Sequence, residues 1–362
     1  MRCFRLLNLV LLSILPLSAK CDDLWHQFHE PDTVCAGVFA PAREYVGAQC
    51  PHPMLEVGYK TKISTLDLYP ESNPNLHMAT DLQKLLSANI YWKWVRLGYS
   101  FALGNYNHGF NFDYSFTFGA FNLSANVAHV RNFKLVNRSD FSDFVGDCVD
   151  DVRFRDLRST DWGVNLEYML DHKRFSGLSV YDYSYHRPQL KSHGSPIFGL
   201  SYAYNSVQRR DFPQSLVADE VLDRVGVGYS YAYTANIGAG YGYSFSFADG
   251  KYVLGVMCVP YFSVGYSDYM VYDESSETCV DGLSLGVRAK ARTNFTYSYQ
   301  YGAFSISAEY LGAFLPNDDF NYRRDIIVLR INHAFKLGEY GLKSCKMPLR
   351  RFMNKTQQAF IK

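Results

Sequence analysis

Between Val225 and Phe247 the chain alternates almost without a break, and this pattern limits the fold more than any other feature. Val227, Tyr229, Tyr231, Tyr233, Ile237, Ala239, Tyr241, Tyr243, Phe245 and Phe247 fall on one side. Gly228, Ser230, Gly238, Gly240, Gly242, Ser244 and Ser246 fall on the other. Period two is the signature of a strand, whose successive side chains point to opposite faces. A two-residue turn at Ala235-Asn236 would invert the phase, and the phase is kept, so the segment reads as one strand. It is about twice the ~10 residues a tilted strand needs to cross a bilayer, and so projects beyond it.

Shorter stretches repeat the pattern. Phe112, Tyr114, Phe116 and Phe118 oppose Asn111, Asp113, Ser115 and Thr117; Phe121, Leu123, Ala125 and Val127 oppose Asn122, Ser124, Asn126 and Ala128. Other strand candidates lie at about 55–68, 87–93, 96–104, 162–170, 175–185, 195–206, 251–266, 282–293, 296–312 and 325–335. Short turns are expected at 93–95, 171–173 and 248–250, the last with an Asp-Gly hairpin signal. Polar connections are expected at 137–160, 207–224, 267–280 and 313–324. Short turns on one side and long loops on the other suit an outer-membrane barrel.

The apolar face is rich in Tyr and Phe, which favour bilayer interfaces, and the opposite face is small and polar. A soluble sandwich would turn its apolar face inward; a membrane barrel turns it to lipid. Only closure lets strands cross lipid with every backbone group paired. The expected fold is an antiparallel transmembrane β-barrel of about twelve strands, with ten or fourteen as neighbouring counts. Composition agrees: hydrophobic residues make up 48%, yet mean hydropathy is −0.18, because the two faces interleave. A formal net charge of +1 argues against nucleic-acid binding.

Residues 1–19 read as a signal peptide: Arg2 and Arg5, then an apolar run from Leu6 to Leu17, then Pro16, Ser18 and Ala19 before the cut. The run is too short to span a bilayer as a helix. Residues 20–54 are expected as a periplasmic N-terminal segment, 55–335 as the barrel, and 336–362 as a basic tail with seven Lys/Arg and one Glu. The final strand ends His333-Ala334-Phe335, an aromatic end that suits the barrel assembly machinery. Removing the signal leaves seven cysteines. Cys35 with Cys50, and Cys148 with Cys279, are the candidate disulfides.

Asp156 to Tyr168 (DLRSTDWGVNLEY), Asp171 to Phe175 (DHKRF) and Ser195 to Tyr204 (SPIFGLSYAY) carry a resemblance to a known family. Ala239 to Phe245 (AGYGYSF) and Asn89 to Ser100 (NIYWKWVRLGYS) extend it. The chain resembles the Bacteroidota outer-membrane barrel family catalogued as domain of unknown function 4421, from about Leu55 to Phe335. It departs at Ala239, where that pattern has Pro, at Pro188-Gln189-Leu190, and in the basic tail. The resemblance implies a bacterial outer-membrane barrel. It brings no activity and no catalytic residues.

The residues themselves show no catalytic pattern such as HExxH or GxSxG. His193 stands two residues from Ser195 in a turn-like setting. Ser124 and His129 have opposite parity, so they fall on different faces. The candidate site residues are charges: Asp151, Arg153, Arg155, Asp156 and Arg158, with Lys173, Arg174, Arg187 and Lys191 as a second group. They read either as solvated loops or as a lumenal constriction that selects ions. Asp147, Asp150 and Asp151 could attract calcium but lack EF-hand spacing. No cofactor is expected. The expected partners are outer-membrane lipid, the barrel assembly machinery and an unidentified solute or surface ligand. The favoured role is a non-enzymatic channel or envelope scaffold; a surface-binding protein and an outer-membrane lipase are the alternatives.

Overall fold

The computed structural model describes residues 41–337, apart from 48–49, 51–52, 71–74, 93, 104–108, 142–151, 182–183, 210–215, 226, 274–275, 300–301 and 317–319. Thirteen antiparallel strands form one sheet. They are β1 (Met54–Pro70), β2 (Leu76–Thr80), β3 (Gln83–Trp92), β4 (Val95–Ala102), β5 (Phe110–Phe118), β6 (Phe121–Leu135) and β7 (Arg153–Met169). Then follow β8 (His193–Gln208), β9 (Val227–Phe247), β10 (Tyr252–Asp273), β11 (Ser276–Tyr299), β12 (Gly302–Leu315) and β13 (Phe320–Lys336). An α-helix, α1 (Leu216–Val225), precedes β9.

The sheet closes on itself. β13 pairs with β1 along its whole length, from Met54↔Lys336 to Pro70↔Phe320. β2 and β3 are one arm broken at Asp81-Leu82, both pairing with β1, so the wall has twelve strands. The β4–β5 hairpin is short. Beyond its tip β2 pairs directly with β6, Met78↔Leu135 to Thr80↔Phe133. A bulge at Asn132 (φ 61) shifts the β6–β7 register at this level and adds the twist such bulges bring. Without β4 and β5 the wall tapers at its long-loop end, because barrel diameter follows strand number.

Parity sets the two faces as the sequence predicts. On β9 the odd residues Tyr233, Ile237, Tyr241 and Phe245 point outward and the even residues Ser230, Thr234, Asn236 and Ser244 are buried within. On β13, Ile327, Leu329 and Ile331 point outward, and Val328, Arg330, Asn332 and Ala334 inward. Pairing joins Leu123, Leu166, Leu200, Ile237, Phe262 and Val287 into one outward row. A second row, Val127, Trp162, Tyr204, Tyr233 and Tyr266, lies nearer the long loops and is largely aromatic. Phe121–Tyr168 and Tyr252–Tyr297, each 5.1 Å between ring centroids, lie at the short-turn end. An aliphatic band between aromatic girdles is the surface a barrel shows to lipid. Ile237 is 62% exposed and Leu285 61%; a continuous apolar surface of this kind marks a contact site and does not suit water.

The structure differs from the sequence expectation in several places. Residues 175–185 are not a strand. They form two 3-10 turns, Gly177–Val180 and Ser184–His186, held by the Ser179 hydroxyl donating to the Ser176 carbonyl. β11 is one strand to Tyr299, where a break near 294–295 was expected. The expected loop at 267–280 is mostly strand, since β10 runs to Asp273 and β11 starts at Ser276. β7 begins at Arg153, so Arg153, Arg155, Asp156 and Arg158 stand on a strand and not in a loop. The turn at Ala248–Gly250 is as expected, with all three residues at positive φ.

Replacing Ile237 with Arg places a charge at the middle of the outward band. The expected cost is about 2–4 kcal/mol of unfolding free energy in lipid vesicles, read from urea titration. Glu220→Arg, on the exposed face of α1, should change stability by less than about 0.5 kcal/mol. Equal effects would contradict the assignment of faces.

Candidate functional site

Because the polar side chains point inward, the interior is the place to look for chemistry. It is filled in three storeys. At the long-loop end Leu66, Leu68, Phe133, Phe154, Val207 and Leu315 form an apolar cluster. Helix α1 adds Ala218, Val221 and Leu222 to it, a spacing that puts all three on one helical face. Arg209 holds the opposite face, reaching Asp219 at 2.7 Å and Asp223 at 2.5 Å.

At the short-turn end residues 171–192, between β7 and β8, fold into the barrel as an inlet. Phe175, Leu178, Val180, Tyr181 and Tyr185 bury against Met169, Ile197, Met257 and Val259 of the wall. Gly255 permits this approach: a Cβ there would strike the Ser179 carbonyl. Two carboxylates latch the inlet. Glu56 accepts from Tyr185 Oη at 2.7 Å and from Asn89 Nδ2 at 2.5 Å. Glu167 accepts from the Tyr181 hydroxyl, and Lys290 donates to it at 2.6 Å. Ser184 and Thr296 hydroxyls meet at 2.6 Å, and Asn294 Nδ2 donates to the Tyr181 carbonyl at 2.6 Å. Residues 41–50 lie across the inlet. Val46 bridges Gln189, Gly47 N–H donates to Pro188 O at 2.8 Å, and Cys50 N–H to His186 O at 2.8 Å.

Between these storeys runs a belt of charge. Arg292 and Arg330 both donate to Glu309, at 2.7 and 2.6 Å. Arg324 pairs with Asp161 at 2.6 Å, and Lys60 with Asp113 at 3.6 Å. Arg292 also lies over the Tyr181 ring at 4.7 Å, which ties the belt to the inlet. A cavity of about 110 Å³ sits inside the belt, lined among others by Lys60, Lys62, Asp113, Arg288, Glu309 and Arg330. A second, of about 50 Å³, lies between Asp161, Arg288 and Arg324. Buried charge of this kind is costly unless paired, so the belt is also a structural constraint.

The residues singled out from sequence do not meet at one place. Arg153 pairs with Asp81 at 2.5 Å, and Arg155 is exposed. Arg158 is half-buried opposite Gln208 and Arg131. Asp151 and the Asp156 side chain lie outside the described residues, as do Asp147 and Asp150. Lys173, Arg174, Arg187 and Lys191 belong to the inlet and its rim. Arg174 and Lys191 lie over the Tyr45 ring at 5.6 and 5.3 Å, and Lys191 pairs with Glu44 at 3.5 Å. Cys35, Cys148 and the Cys279 side chain lie outside the described residues, while Cys50 is half-buried beside the inlet. The residues missed were Lys60, Lys62, Arg288, Lys290, Glu309, Arg324 and Arg330. Each sits on the inward parity of its strand, and that parity was the signal that could have found them.

Among the described residues the histidines assemble no nucleophile. His193 Nε2 meets Asp171 at 2.6 Å, but the Ser195 hydroxyl accepts from Asp171 N–H and donates to the Pro196 carbonyl, both at 2.9 Å. His129 contacts Thr160 and Arg131 instead of Ser124. Among the described residues no group of three His, Cys, Asp or Glu could hold a metal ion.

A model of the family described as a domain of unknown function (DUF4421) matches residues 44–336. Among solved structures, the outer membrane protease OmpT from Escherichia coli is similar at 9% identity and a TM-score of 0.39, covering 80% of this chain and 98% of that one. The Pseudomonas putida toluene transporter TodX is similar at 8% identity and a TM-score of 0.29, covering 80% and 91%. Among proteins of curated function, none matches the chain.

Two outcomes follow from this geometry. Glu309→Gln leaves two guanidinium groups without their shared carboxylate and should cost about 3–5 kcal/mol in unfolding; an unchanged urea midpoint would refute the shared pair. His186, buried with neither ring nitrogen hydrogen-bonded, is pushed down to about 4 by desolvation. It is therefore neutral when folded. Its contribution is fully present above the ordinary value near 6.5 and is lost as pH falls toward 4. Hydrogen exchange across 176–191 should quicken over that window in the wild type and less so in His186→Phe. Equal acceleration in both would rule His186 out as the cause.

Proposed function

The chain belongs to the DUF4421 family, and we propose that it is a non-enzymatic outer-membrane barrel acting as a small-solute conduit shut at rest by its own inlet. The observation that carries this reading is the latch: Glu56 and Glu167, on opposite parts of the wall, hold Tyr185 and Tyr181 across the lumen. Polar latches in a lumen can exchange one set of partners for another, whereas an interior needed only for rigidity is better served by apolar packing. A charged belt behind a gate is also the arrangement by which pores select ions.

On this reading the export signal at 1–19 sends the chain to the outer membrane. The barrel assembly machinery inserts it, with β13 as the strand recognised. Outer-membrane lipid then covers the apolar band. The absence of a nucleophile–base contact at His193 and Ser195 favours a conduit over an outer-membrane lipase. The favoured direction of gating is displacement of the inlet toward the short-turn mouth, where its chain enters and leaves at Leu170 and Ser192.

Planar-bilayer recordings test this. Wild-type protein, refolded and shown intact by its heat-modifiable gel mobility, should be nearly silent. Glu56→Gln combined with Glu167→Gln should open frequently, with at least a tenfold rise in open probability. A steadily open wild type, or a folded double variant as silent as the wild type, would overturn the proposal.

A further inference from the structure

We propose that the 110 Å³ mid-lumen cavity is a binding site for one small oxyanion, of the size and charge of inorganic phosphate or sulfate. The pairing within the belt is uneven. Glu309 serves both Arg292 and Arg330, while Asp113, Asp161 and Glu167 hold Lys60, Arg324 and Lys290 in turn. Lys62 and Arg288 are left over. Neither has a carboxylate within ion-pair distance among the described residues, and the only hydrogen bond of Arg288 is a long one, 3.5 Å, to Ser201 Oγ.

Both side chains line the cavity. Lys62 is only 6% exposed, so water around it is confined to the lumen. An ammonium in such a place must lose its proton or acquire a counter-charge. The lining holds more cations than carboxylates, so the field inside the cavity is positive, and one bound anion would relieve the repulsion among all of them. Low-dielectric walls concentrate that field and draw in anions. The volume exceeds what one water needs several-fold, and suits a tetrahedral oxyanion with its shell of donors. Arg288 supplies the planar fork that matches two oxygens of such a group, and Lys62 a point charge for a third. Arg288 also borders the second cavity, which places it on the line along which an anion would move.

The site supplies the solute class for the conduit proposed above, and its transport role rests on that reading. Binding itself needs no conduction. A barrel that binds phosphate but never conducts would sink the conduit and keep the site; one that conducts without binding would do the reverse.

The full chain is refolded from urea into detergent micelles in radiolabelled inorganic phosphate at low ionic strength, so that the anion can enter before the barrel closes. Equilibrium dialysis should then show one phosphate per chain. Lys62→Met and Arg288→Met should each weaken binding at least tenfold, Lys62→Arg should restore most of it, and Lys84→Met, on the outer face, should change nothing. Sulfate should compete and equimolar chloride should not. Phosphate should also raise the wild-type urea midpoint, a readout that stands even if a variant fails to fold. No saturable phosphate or sulfate binding by the wild type, chloride competing as well as sulfate, or Lys62→Met binding as tightly as wild type, would each overturn the proposal.

Discussion

The seam between β1 and β13 is the contact on which the rest of the barrel depends. The two strands come from opposite ends of the barrel sequence, yet they pair residue for residue from Met54↔Lys336 to Pro70↔Phe320. Without this seam both strands would present unpaired N–H and C=O groups to lipid, each a loss of several kcal/mol. With it, every strand has two neighbours. The pleat then fixes which residues face lipid and which face one another. Charges such as Arg330 and Lys60, adjacent across the seam, are carried inside the wall, where they find carboxylates.

Closure creates a lumen that must then be filled or left wet. This chain fills it from both ends by different means. At the long-loop end the wall narrows where β2 takes over from the β4–β5 hairpin, and apolar side chains with helix α1 complete the seal. At the short-turn end a loop is folded inward. The first seal is mainly hydrophobic, with Arg209 tying the outer face of α1. The second depends on hydrogen bonds to two carboxylates and on a buried neutral imidazole, so it is the end that can respond to conditions. The inlet meets the charge belt through Tyr181, whose ring lies under Arg292 and whose hydroxyl reaches Glu167.

Much of the wall was legible in the sequence because alternation is local: Tyr233, Ile237 and Tyr241 announce their face through their immediate neighbours. The single long β9 followed from unbroken phase. The inlet was not legible for the same reason. Phe175, Leu178, Val180, Tyr181 and Tyr185 read as a strand, because a short apolar run looks alike whether it pairs with a strand or packs inside a barrel. The expected site suffered from the opposite weakness. The charges from Asp151 to Arg158 drew notice, yet the belt member nearest to them in sequence is Asp161. The belt is assembled from strands far apart in the chain, Lys290 and Glu167 being 123 residues apart. Long-range pairing of that kind leaves no local trace except parity.

The central claim is that one closed sheet separates lipid from a polar interior. Single cysteines placed in turn at positions 233–241, in a background without other cysteines, can be spin-labelled and examined in lipid vesicles. Labels at 233, 235, 237, 239 and 241 should collide readily with oxygen, which partitions into lipid, and poorly with a polar nickel chelate. Labels at 234, 236, 238 and 240 should be shielded from oxygen. Accessibility without a period of two, or oxygen reaching the even positions as freely as the odd, would contradict the barrel described.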